Sequence, residues 1–411
     1  MKQAPTLQEL APDGHDLAAD PFPLYEQLRA KGPVHRIHVP ESGACWLVVT
    51  RDAARQALTD PRLRNDIAHS SSWRTDGGHA IGRNMLQSDP PQHTHLRRLV
   101  AGHFAPARIT ALHGQIEAIA DDLLATLPER GTVDLVHRYA LPLPVAVICA
   151  LLGVPEADRA PFHTWSTELV LPSSPEAAAA ASAELASYIS DLTASADPIG
   201  GRAQGSDSTL LADLAAAERA ARGPGPGAQA AGLTREELLG MVFLLLVAGH
   251  ETTVNLISAT VHSLLAHPAQ LALLRADPAL LPRAVEESLR YNTPVRASAF
   301  RFAAEPLDLA GTPVAAGDAV LVSLAAASRD PLPFPAPDRF DIRRQGPGHL
   351  GFGHGPHHCL GAPLARAETT VALRRLLERH PAIDFATDPS RLTWRTSTLL
   401  RGLAELPVRL G

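Results

Sequence analysis

Residues 351–366 have the sequence GFGHGPHHCLGAPLAR. Glycines surround Cys359, and glycine permits tight turns and a close approach of the backbone to a flat ligand. A helical pattern follows at once, and Pro363 is compatible with it only in the first turn of that helix. The helix dipole and free backbone N–H groups stabilise a cysteine thiolate at a helix N-terminus. The stretch therefore indicates a thiolate held at the start of a helix.

Two other interpretations of Cys359 are open at this point. A lone cysteine is most often a buried structural residue. A zinc site would have to use the neighbouring His354, His357 and His358, but histidines packed so closely in sequence do not readily converge with the cysteine on one metal ion. The other cysteines of the chain are distant, so there is no disulfide framework and we expect a reducing, intracellular setting.

The segment from Phe352 to Gly361, FGHGPHHCLG, resembles the haem-binding signature of the cytochrome P450 family, F-G-x-G-x-H-x-C-x-G, at every defined position. The resemblance implies haem b (iron protoporphyrin IX) as cofactor and Cys359 as the axial iron ligand, hence as the metal-binding residue. It implies further that His357 hydrogen-bonds a haem propionate and that Phe352 packs on the thiolate side of the haem. Gly353 and Gly361 belong to the same haem-binding loop.

A long helical pattern begins after Thr234 and continues to about Ala266. Thr234 and Glu237 have the spacing of a capping box. A helix of this length extends for about 50 Å, so it must cross the whole molecule.

The middle of this helix has the sequence AGHETT, residues 248–253. A glycine within a helix costs roughly 1 kcal/mol relative to alanine, so we expect some compensating gain. Taken alone, the segment is more typical of a polar patch on a packed helix. Beside the cysteine loop it resembles the family's oxygen-activation motif, [AG]-G-x-[DE]-T. The resemblance implies that Thr252 donates to the oxygen being activated, that Glu251 relays protons from water, and that Ala248 borders the haem.

Glu287 and Arg290 are spaced to lie on one face of a helix. Alone they would form an ordinary exposed ion pair worth about 0–1 kcal/mol. In the P450 family such an E-x-x-R pair forms a triad with an arginine shortly before the cysteine loop, and Arg339, in PAPDRFDIRR, stands at the corresponding place. The resemblance implies that these three residues support the haem loop structurally.

His93 and Arg97 lie in DPPQHTHLRRLV, residues 89–100, and their spacing places them on one helical face. A solvated basic helix end is the alternative interpretation. The stretch resembles the family segment D-P-P-x-H-x-x-L-R-R, which implies that both side chains bind a haem propionate. Arg301, in FRFAAEP, occupies a third propionate-binding position. Several cationic donors for two carboxylates are reasonable charge-assisted chemistry.

Family position also indicates an apolar substrate pocket, although several of its residues could instead fill the core. Arg296 is the exception in charge, and a buried charge is costly unless it is paired. It either holds a carbonyl, phenolate or carboxylate of the substrate, or it turns outward or pairs with a propionate beside Arg301. The expected pocket comprises Met85, Leu86, Leu244, Val247, Ala248, Val295, Arg296, Ala299 and Leu399.

Composition limits the functional classes. The chain has 37 basic and 43 acidic residues and a formal charge of -6, which argues against nucleic-acid binding. Its first 20 residues are polar and acidic, with no apolar segment of signal-peptide or membrane-spanning length. We therefore expect a cytoplasmic protein that does not bind membranes.

The chain of 411 residues fits a single cytochrome P450 domain over 1–411, with 1–20 loosely ordered. The Gly/Pro-rich stretches 197–209 and 222–232 fit surface loops within that domain, or else linkers. Sequence patterns also predict a hairpin within 33–50, a short helix from Asp52 to Thr59, helices between about 90 and 290, β structure within 294–325 and a final helix from about Leu360 to Arg379.

The family fold is mainly α, a triangular prism with a smaller β-rich part. The resemblance is closest to soluble bacterial members that tailor polyketides, macrolides especially, and hydroxylate sterol-like molecules. It implies insertion of one atom of O2 into a C–H bond of a bulky hydrophobic secondary metabolite. Electrons would come from a ferredoxin and its NAD(P)H-dependent reductase, and we expect a monomer. The alternatives are P450-type oxidative coupling or rearrangement, and a non-catalytic haem-binding sensor.

Overall fold

Helices dominate the chain, as its many alanine and leucine residues favour. The computed structural model describes residues 4–40, 42–73, 82–170, 173–195, 209–222 and 232–411. The described α-helices are Leu7–Leu10, Phe22–Lys31, Arg51–Thr59, Gln92–Ala101, Pro106–Ala125, Pro142–Leu152, Arg159–Val170, Pro175–Ser195, Leu210–Ala221, Arg235–Ala266, Pro268–Ala276, Leu281–Tyr291, Leu324–Ser328 and Ala362–Arg379.

The strands are short and come from distant parts of the chain. In chain order they are β1 (Val34–Val39), β2 (Gly43–Val48), β3 (Leu63–Arg64), β4 (Gly131–Asp134), β5 (Arg301–Ala303), β6 (Leu307–Leu309), β7 (Thr312–Val314), β8 (Ala319–Val322), β9 (Asp384–Phe385) and β10 (Pro407–Leu410). They form a sheet of order β1-β2-β8-β5-β3, a second sheet of order β4-β10-β9 and the hairpin β6-β7.

The parallel pairing of β2 with β8 joins the N-terminal hairpin to the strands near residue 300. Cys45 lies opposite Ala319, and Val48 lies opposite Val322. All four side chains are buried. Cys45 and Val48 point to opposite faces of the sheet, so the pairing is buried on both faces. This burial stabilises a contact between segments that are far apart in sequence.

The described chain forms two compact units. Unit one comprises Met1–Gly77, Ala120–Ala140 and Thr252–Gly411, and it contains every strand named above. Unit two comprises Gly78–Ile119 and Leu141–Glu251, and its described elements are helical. The expectation of a single domain over 1–411 stays a prediction.

Most of the expected elements are present. The hairpin within 33–50, the short helix ending at Thr59 and the long helix to Ala266 are all found. The capping box is confirmed, since Glu237 N donates to Thr234 Oγ1 at 3.1 Å and Thr234 N donates to Glu237 Oε2 at 2.9 Å. Apart from residues 209, 222 and 232, the stretches 197–209 and 222–232 lie outside the described residues.

The N-terminal segment, which we expect to be loosely ordered, contains a short helix in its described part. Thr6 caps the helix Leu7–Leu10, and Leu7 and Leu10 pack against a buried apolar cluster of unit one. Further along, Arg401 donates to the carbonyl oxygens of Ala18 and Ala19. Apolar contacts and backbone hydrogen bonds therefore connect this segment to the rest of unit one, and its loose order stays a prediction.

One described helix, Arg235–Ala266, is long and apolar enough by composition to cross a membrane. Of the most apolar stretch of 18 residues in this helix, 72% is buried inside the protein. Its apolar character is therefore accounted for by packing, as in the core helix of a globular protein.

Candidate functional site

Local backbone hydrogen bonds shape the cysteine loop, residues 350–361. Gly353 N donates to Leu350 O at 2.8 Å, and Cys359 N donates to Phe352 O at 2.8 Å. Gly353 has a φ of 74°, a left-handed conformation that glycine adopts without steric cost. Cys359 is exposed, and the helix Ala362–Arg379 begins three positions later. The expected thiol at the start of a helix is therefore present.

The helix Arg51–Thr59 approaches this loop closely, and only glycine fits at the contact. A Cβ at Gly355 would lie 2.8 Å from Leu58 O, and Gly355 also has a positive φ of 75°. From the same helix, Arg51 Nη2 donates to Gly348 O, and the two atoms are 2.6 Å apart. The Gly-rich sequence thus serves a close backbone approach as well as a turn.

Cys359 differs from the other cysteines in accessibility. Cys45 and Cys149 are buried, and burial raises the pKa of each thiol to about 12. Neither is suited to present a thiolate at neutral pH. Among the described residues, no three His, Cys, Asp or Glu side chains are grouped to hold a metal ion, so nothing in that part of the chain favours the zinc interpretation.

The expected triad is present with a different third member. Arg290 Nε and Nη2 donate to both carboxylate oxygens of Glu287, at 2.8 and 2.9 Å. The side chain that completes the group is Arg344, whose Nε donates to Glu287 Oε1 at 3.1 Å. Arg339 was the wrong choice, because its side chain is 68% exposed and pairs with Asp341.

The backbone of Arg339 nevertheless takes part. Its carbonyl oxygen accepts from Arg290 Nη2 at 3.2 Å and from Arg344 Nη2 at 2.6 Å. The Glu287 side chain is only 4% exposed, and so its charge needs the close partners it has. PAPDRFDIRR holds several arginines near the expected position, and sequence position alone did not identify the one that points inward.

Two expected pocket segments of unit one meet on a short ladder. Arg296 N donates to Leu399 O at 2.7 Å, and Val295 forms a β-bridge with Leu400. Val295, Ala299 and Leu399 are all half-buried. The structure thus brings together two pocket segments that are a hundred residues apart in sequence.

Arg296 is buried, and its guanidinium is engaged. Its Nε donates to Tyr25 Oη at 2.9 Å, and its Nη1 donates to Ser397 O at 3.4 Å. This arrangement favours the alternative in which Arg296 turns away from the pocket. A contact with substrate stays a prediction.

Arg301 lies in β5 and is buried, and its Nη1 donates to Leu63 O at 3.3 Å. In the cysteine loop, His357 and Phe352 are half-buried. The Phe352 ring packs against a small cluster of Leu256, Val285 and Leu289. Unit one therefore supplies a thiol, two cationic or donor side chains and an aromatic ring.

In unit two, three apolar residues of the long helix stay accessible. Leu244 and Val247 are half-buried and Ala248 is exposed, while Leu245 and Leu246 between them are buried. The spacing i, i+3, i+4 places the accessible side chains on one face. Apolar residues at the middle of a core helix normally face its neighbours, so this face is suited to an apolar ligand.

The oxygen-activation segment has a packing explanation as well. A Cβ at Gly249 would lie 3.0 Å from Ile148 Cδ1, so the glycine allows the helix Pro142–Leu152 to approach closely. His250 Nδ1 donates to Leu246 O at 2.7 Å, and burial lowers the pKa of this histidine. Glu251 is buried and Thr252 is half-buried. The close packing supplies the gain expected beside a mid-helix glycine.

The other expected residues of unit two lie around the helix Gln92–Ala101. His93 is buried and Arg97 is half-buried, one turn apart. Met85 is half-buried and Leu86 is exposed in the preceding loop. These placements are compatible with the propionate and pocket assignments, which stay predictions.

Comparison with known proteins identifies the family. The family model for cytochrome P450 matches residues 176–389. Cytochrome P450 monooxygenase PikC of Streptomyces venezuelae is 47% identical over 409 residues, which cover 99% of this chain and 95% of that protein. This chain is a cytochrome P450.

Two further comparisons agree. The P450 is 40% identical to 6-deoxyerythronolide B hydroxylase of Saccharopolyspora erythraea over 413 residues, covering 96% of this chain and 98% of the relative. The tirandamycin C-bound P450 monooxygenase TamI has a TM-score of 0.87 at 41% identity, covering 97% and 99% of the two chains. The mainly α P450 fold is thereby confirmed. The cofactor of the family is haem b with a thiolate ligand, and bacterial P450s take electrons from redox partners and bind hydrophobic substrates.

Sequence inspection missed a group beside the cysteine loop. Glu286, His349 and Arg366 form a hydrogen-bonded cluster in unit one. Glu286 directly precedes the triad glutamate, and His349 lies two residues before Gly351. Proximity to two recognised motifs was the available signal, but it does not indicate which side chains meet.

Proposed function

We propose that this P450 monooxygenase inserts one oxygen atom from O2 into a C–H bond of a bulky hydrophobic secondary metabolite, with polyketides and macrolides as the substrate class. The observation that carries the proposal is the exposed Cys359 thiol at the start of the helix Ala362–Arg379. The named relatives act on related molecules: one is a 6-deoxyerythronolide B hydroxylase, and TamI binds tirandamycin C.

The thiolate of Cys359 is proposed as the group that would hold the haem iron. Bound haem supplies the oxidising chemistry, because a thiolate ligand favours cleavage of the O–O bond. Backbone N–H groups at the helix start stabilise the thiolate and moderate its donation to the metal. Phe352 would cover the thiolate side of the haem. Gly353 and Gly361 let the backbone of the loop turn around Cys359.

Cationic or hydrogen-bond-donating side chains are the proposed propionate partners. In unit one these are Arg301 and His357, and in unit two they are His93 and Arg97. A buried arginine such as Arg301 is costly unless an anion or several acceptors compensate its charge. Charge-assisted hydrogen bonds from these donors to haem carboxylates would meet that requirement.

Thr252 and Glu251 are the proposed proton-delivery pair. Thr252 holds a hydroxyl on the accessible side of the long helix, and Glu251 next to it places a carboxyl group in a buried position. A buried acid adjacent to a partly accessible alcohol can pass protons from water to a site that otherwise excludes water.

The substrate is proposed to contact the accessible apolar residues of each unit. In unit two these are Leu244, Val247, Ala248, Met85 and Leu86, and in unit one they are Val295, Ala299 and Leu399. Apolar walls recognise a ligand by burying its hydrophobic surface at about 25 cal/mol per Å².

We propose a ferredoxin with its NAD(P)H-dependent reductase as the electron source, a monomeric state and a cytoplasmic location. The net charge of -6 supports the proposed absence of a nucleic-acid partner.

The proposal is tested by a ligand screen followed by product analysis. Macrolides and other polyketides are titrated into the purified haem protein, and a low-spin to high-spin shift of the Soret band identifies binders. Turnover of a binder under 18O2 with a surrogate ferredoxin system should give a product that carries one 18O atom. Coupled or rearranged products without label would establish the alternative chemistry, and NADPH oxidation that yields no product from any binder would overturn the proposal.

A further inference from the structure

Three side chains outside the proposed catalytic set meet beside the cysteine loop in unit one. Arg366 donates through Nε and Nη2 to the two carboxylate oxygens of Glu286, at 2.6 and 3.0 Å. His349 Nε2 lies 3.2 Å from Glu286 Oε2. Burial acts to raise the pKa of Glu286, but the hydrogen bonds from His349 and Arg366 together outweigh it and lower this pKa to about 2. The carboxylate is therefore ionised at neutral pH.

The partners of His349 determine its tautomer. The backbone N–H of Gly351 donates to His349 Nδ1 at 3.0 Å. A backbone amide can only donate, so Nδ1 carries the lone pair and the ring proton is on Nε2, directed at Glu286. The imidazole thus connects an anchored carboxylate to the entrance of the cysteine loop.

The residues after His349 have little freedom. A Cβ at Gly351 would lie 3.1 Å from Leu289 O and 3.0 Å from His349 Nδ1. The Phe352 ring centre lies 5.9 Å from the His349 ring and 4.5 Å from the Arg366 guanidinium carbon. Phe352 O in turn accepts from Cys359 N at 2.8 Å. The cluster therefore contacts the residue that holds the backbone of Cys359.

We propose that His349 is a positioning residue for Cys359. Its Nδ1 orients the Gly351 amide and its ring supports Phe352, so that the loop presents the cysteine to the iron in one geometry. This inference rests on the proposed role of Cys359 as the iron ligand. Glu286 and Arg366 act through His349 and Phe352, and none of the three contacts the reacting atoms.

The two nitrogens of His349 can be tested separately. In His349→Asn, Oδ1 stands where Nδ1 was and can accept from the N–H two residues on, as in an Asx-turn, while the bond to Glu286 is lost. In His349→Gln, Nε2 can still donate to Glu286, but the acceptor for Gly351 is lost. His349→Leu removes both. His267→Leu is the matched control. His267 is also a half-buried histidine of unit one with a ring nitrogen bonded to the backbone, in its case to the Ser263 carbonyl.

The readouts are the CO-difference spectrum, the haem reduction potential and the melting temperature of each haem-loaded variant. We expect His349→Leu and His349→Gln to lose much of the band at about 450 nm in favour of a shorter-wavelength form, and to shift the potential. His349→Asn should retain more of both properties than His349→Gln, because it keeps the acceptor for the Gly351 amide. His267→Leu should lower only the melting temperature. If His349→Leu fails to take up haem, the test rests on comparing the CO-difference spectra and reduction potentials of His349→Asn and His349→Gln.

Two outcomes would overturn the inference. One is a wild-type band and potential in both His349→Leu and His349→Gln, and the other is equal loss in Asn and Gln. Either result leaves the role of Cys359 intact as long as wild type shows the band and Cys359→Ala lacks it. Absence of the band from haem-loaded wild type would instead remove the proposed function itself.

Discussion

Arg344 Nε lies 3.1 Å from Glu287 Oε1, and this bond closes a buried charge group that also includes Arg290. The Arg344 side chain is 13% exposed, whereas that of Arg339 is 68% exposed. Two arginines five positions apart in one loop therefore have different energetic roles.

Arg344→Met should lower the free energy of unfolding by about 2 kcal/mol, the range for a lost hydrogen bond to a charged group. The cause is that Glu287 keeps a buried charge with one partner fewer. Arg339→Met, the matched control, should change it by about 0.5 kcal/mol or less, because its ion pair is exposed. Urea unfolding at equal haem content measures both, and equal losses would contradict the assignment of Arg344.

Cys359→Ala should abolish the band of the reduced CO complex at about 450 nm, since a thiolate ligand is required for it. Cys45→Ala and Cys149→Ala are the controls: both thiols are buried, so each variant should lose about 1 kcal/mol of stability and keep the band. A surviving band in Cys359→Ala would disprove the central assignment.

Thr252→Ala should bind haem and substrate normally but divert reducing equivalents into peroxide. The reason is that proton delivery to the site of oxygen activation is slowed. Glu251→Gln should slow product formation for the same reason. Thr253→Ala, the control, makes the identical change one residue further along the chain. In this variant NADPH consumption should remain coupled to product formation. The ratio of peroxide to product per NADPH measures the effect, and unchanged coupling in both Thr252→Ala and Glu251→Gln would exclude the relay.

Ala248→Phe and Val295→Phe should alter regiochemistry or reduce the substrate-induced Soret shift, because each places a ring on an accessible apolar surface of its unit. Ala216→Phe, on an exposed helical position, should have neither effect. Product ratios and spin-shift titrations provide the measurement. If neither pocket variant differs from the Ala216 control, the pocket lies elsewhere.

His262 should make the protein less stable as the pH falls from about 6.5 to about 4. Its ring packs against Phe385 and Trp394, and its pKa is lowered from 6.5 to about 4, first by burial and then by Arg401 and His267. The unfolded chain takes up a proton in this window that the folded chain does not, which costs up to about 3 kcal/mol. His262→Leu should flatten the dependence of the unfolding free energy on pH in this range. Denaturant unfolding at several pH values measures this dependence. An unchanged slope would contradict the burial of a neutral ring.

The local sequence determined what depends on neighbouring residues. The turn at Gly353, the exposed cysteine before Ala362 and the capping box at Thr234 each arise from contacts within a few positions. Glycine φ values, caps and helical periodicity act at that range, so the haem loop and the long helix were predictable.

The tertiary structure decided which distant side chains meet. It selected Arg344 over Arg339, joined β2 to β8, and set Val295 beside Leu400. It also turned Arg296 toward Tyr25. Each of these contacts depends on the packing of segments far apart in the chain, where burial and charge pairing select one partner among several that sequence position leaves equivalent.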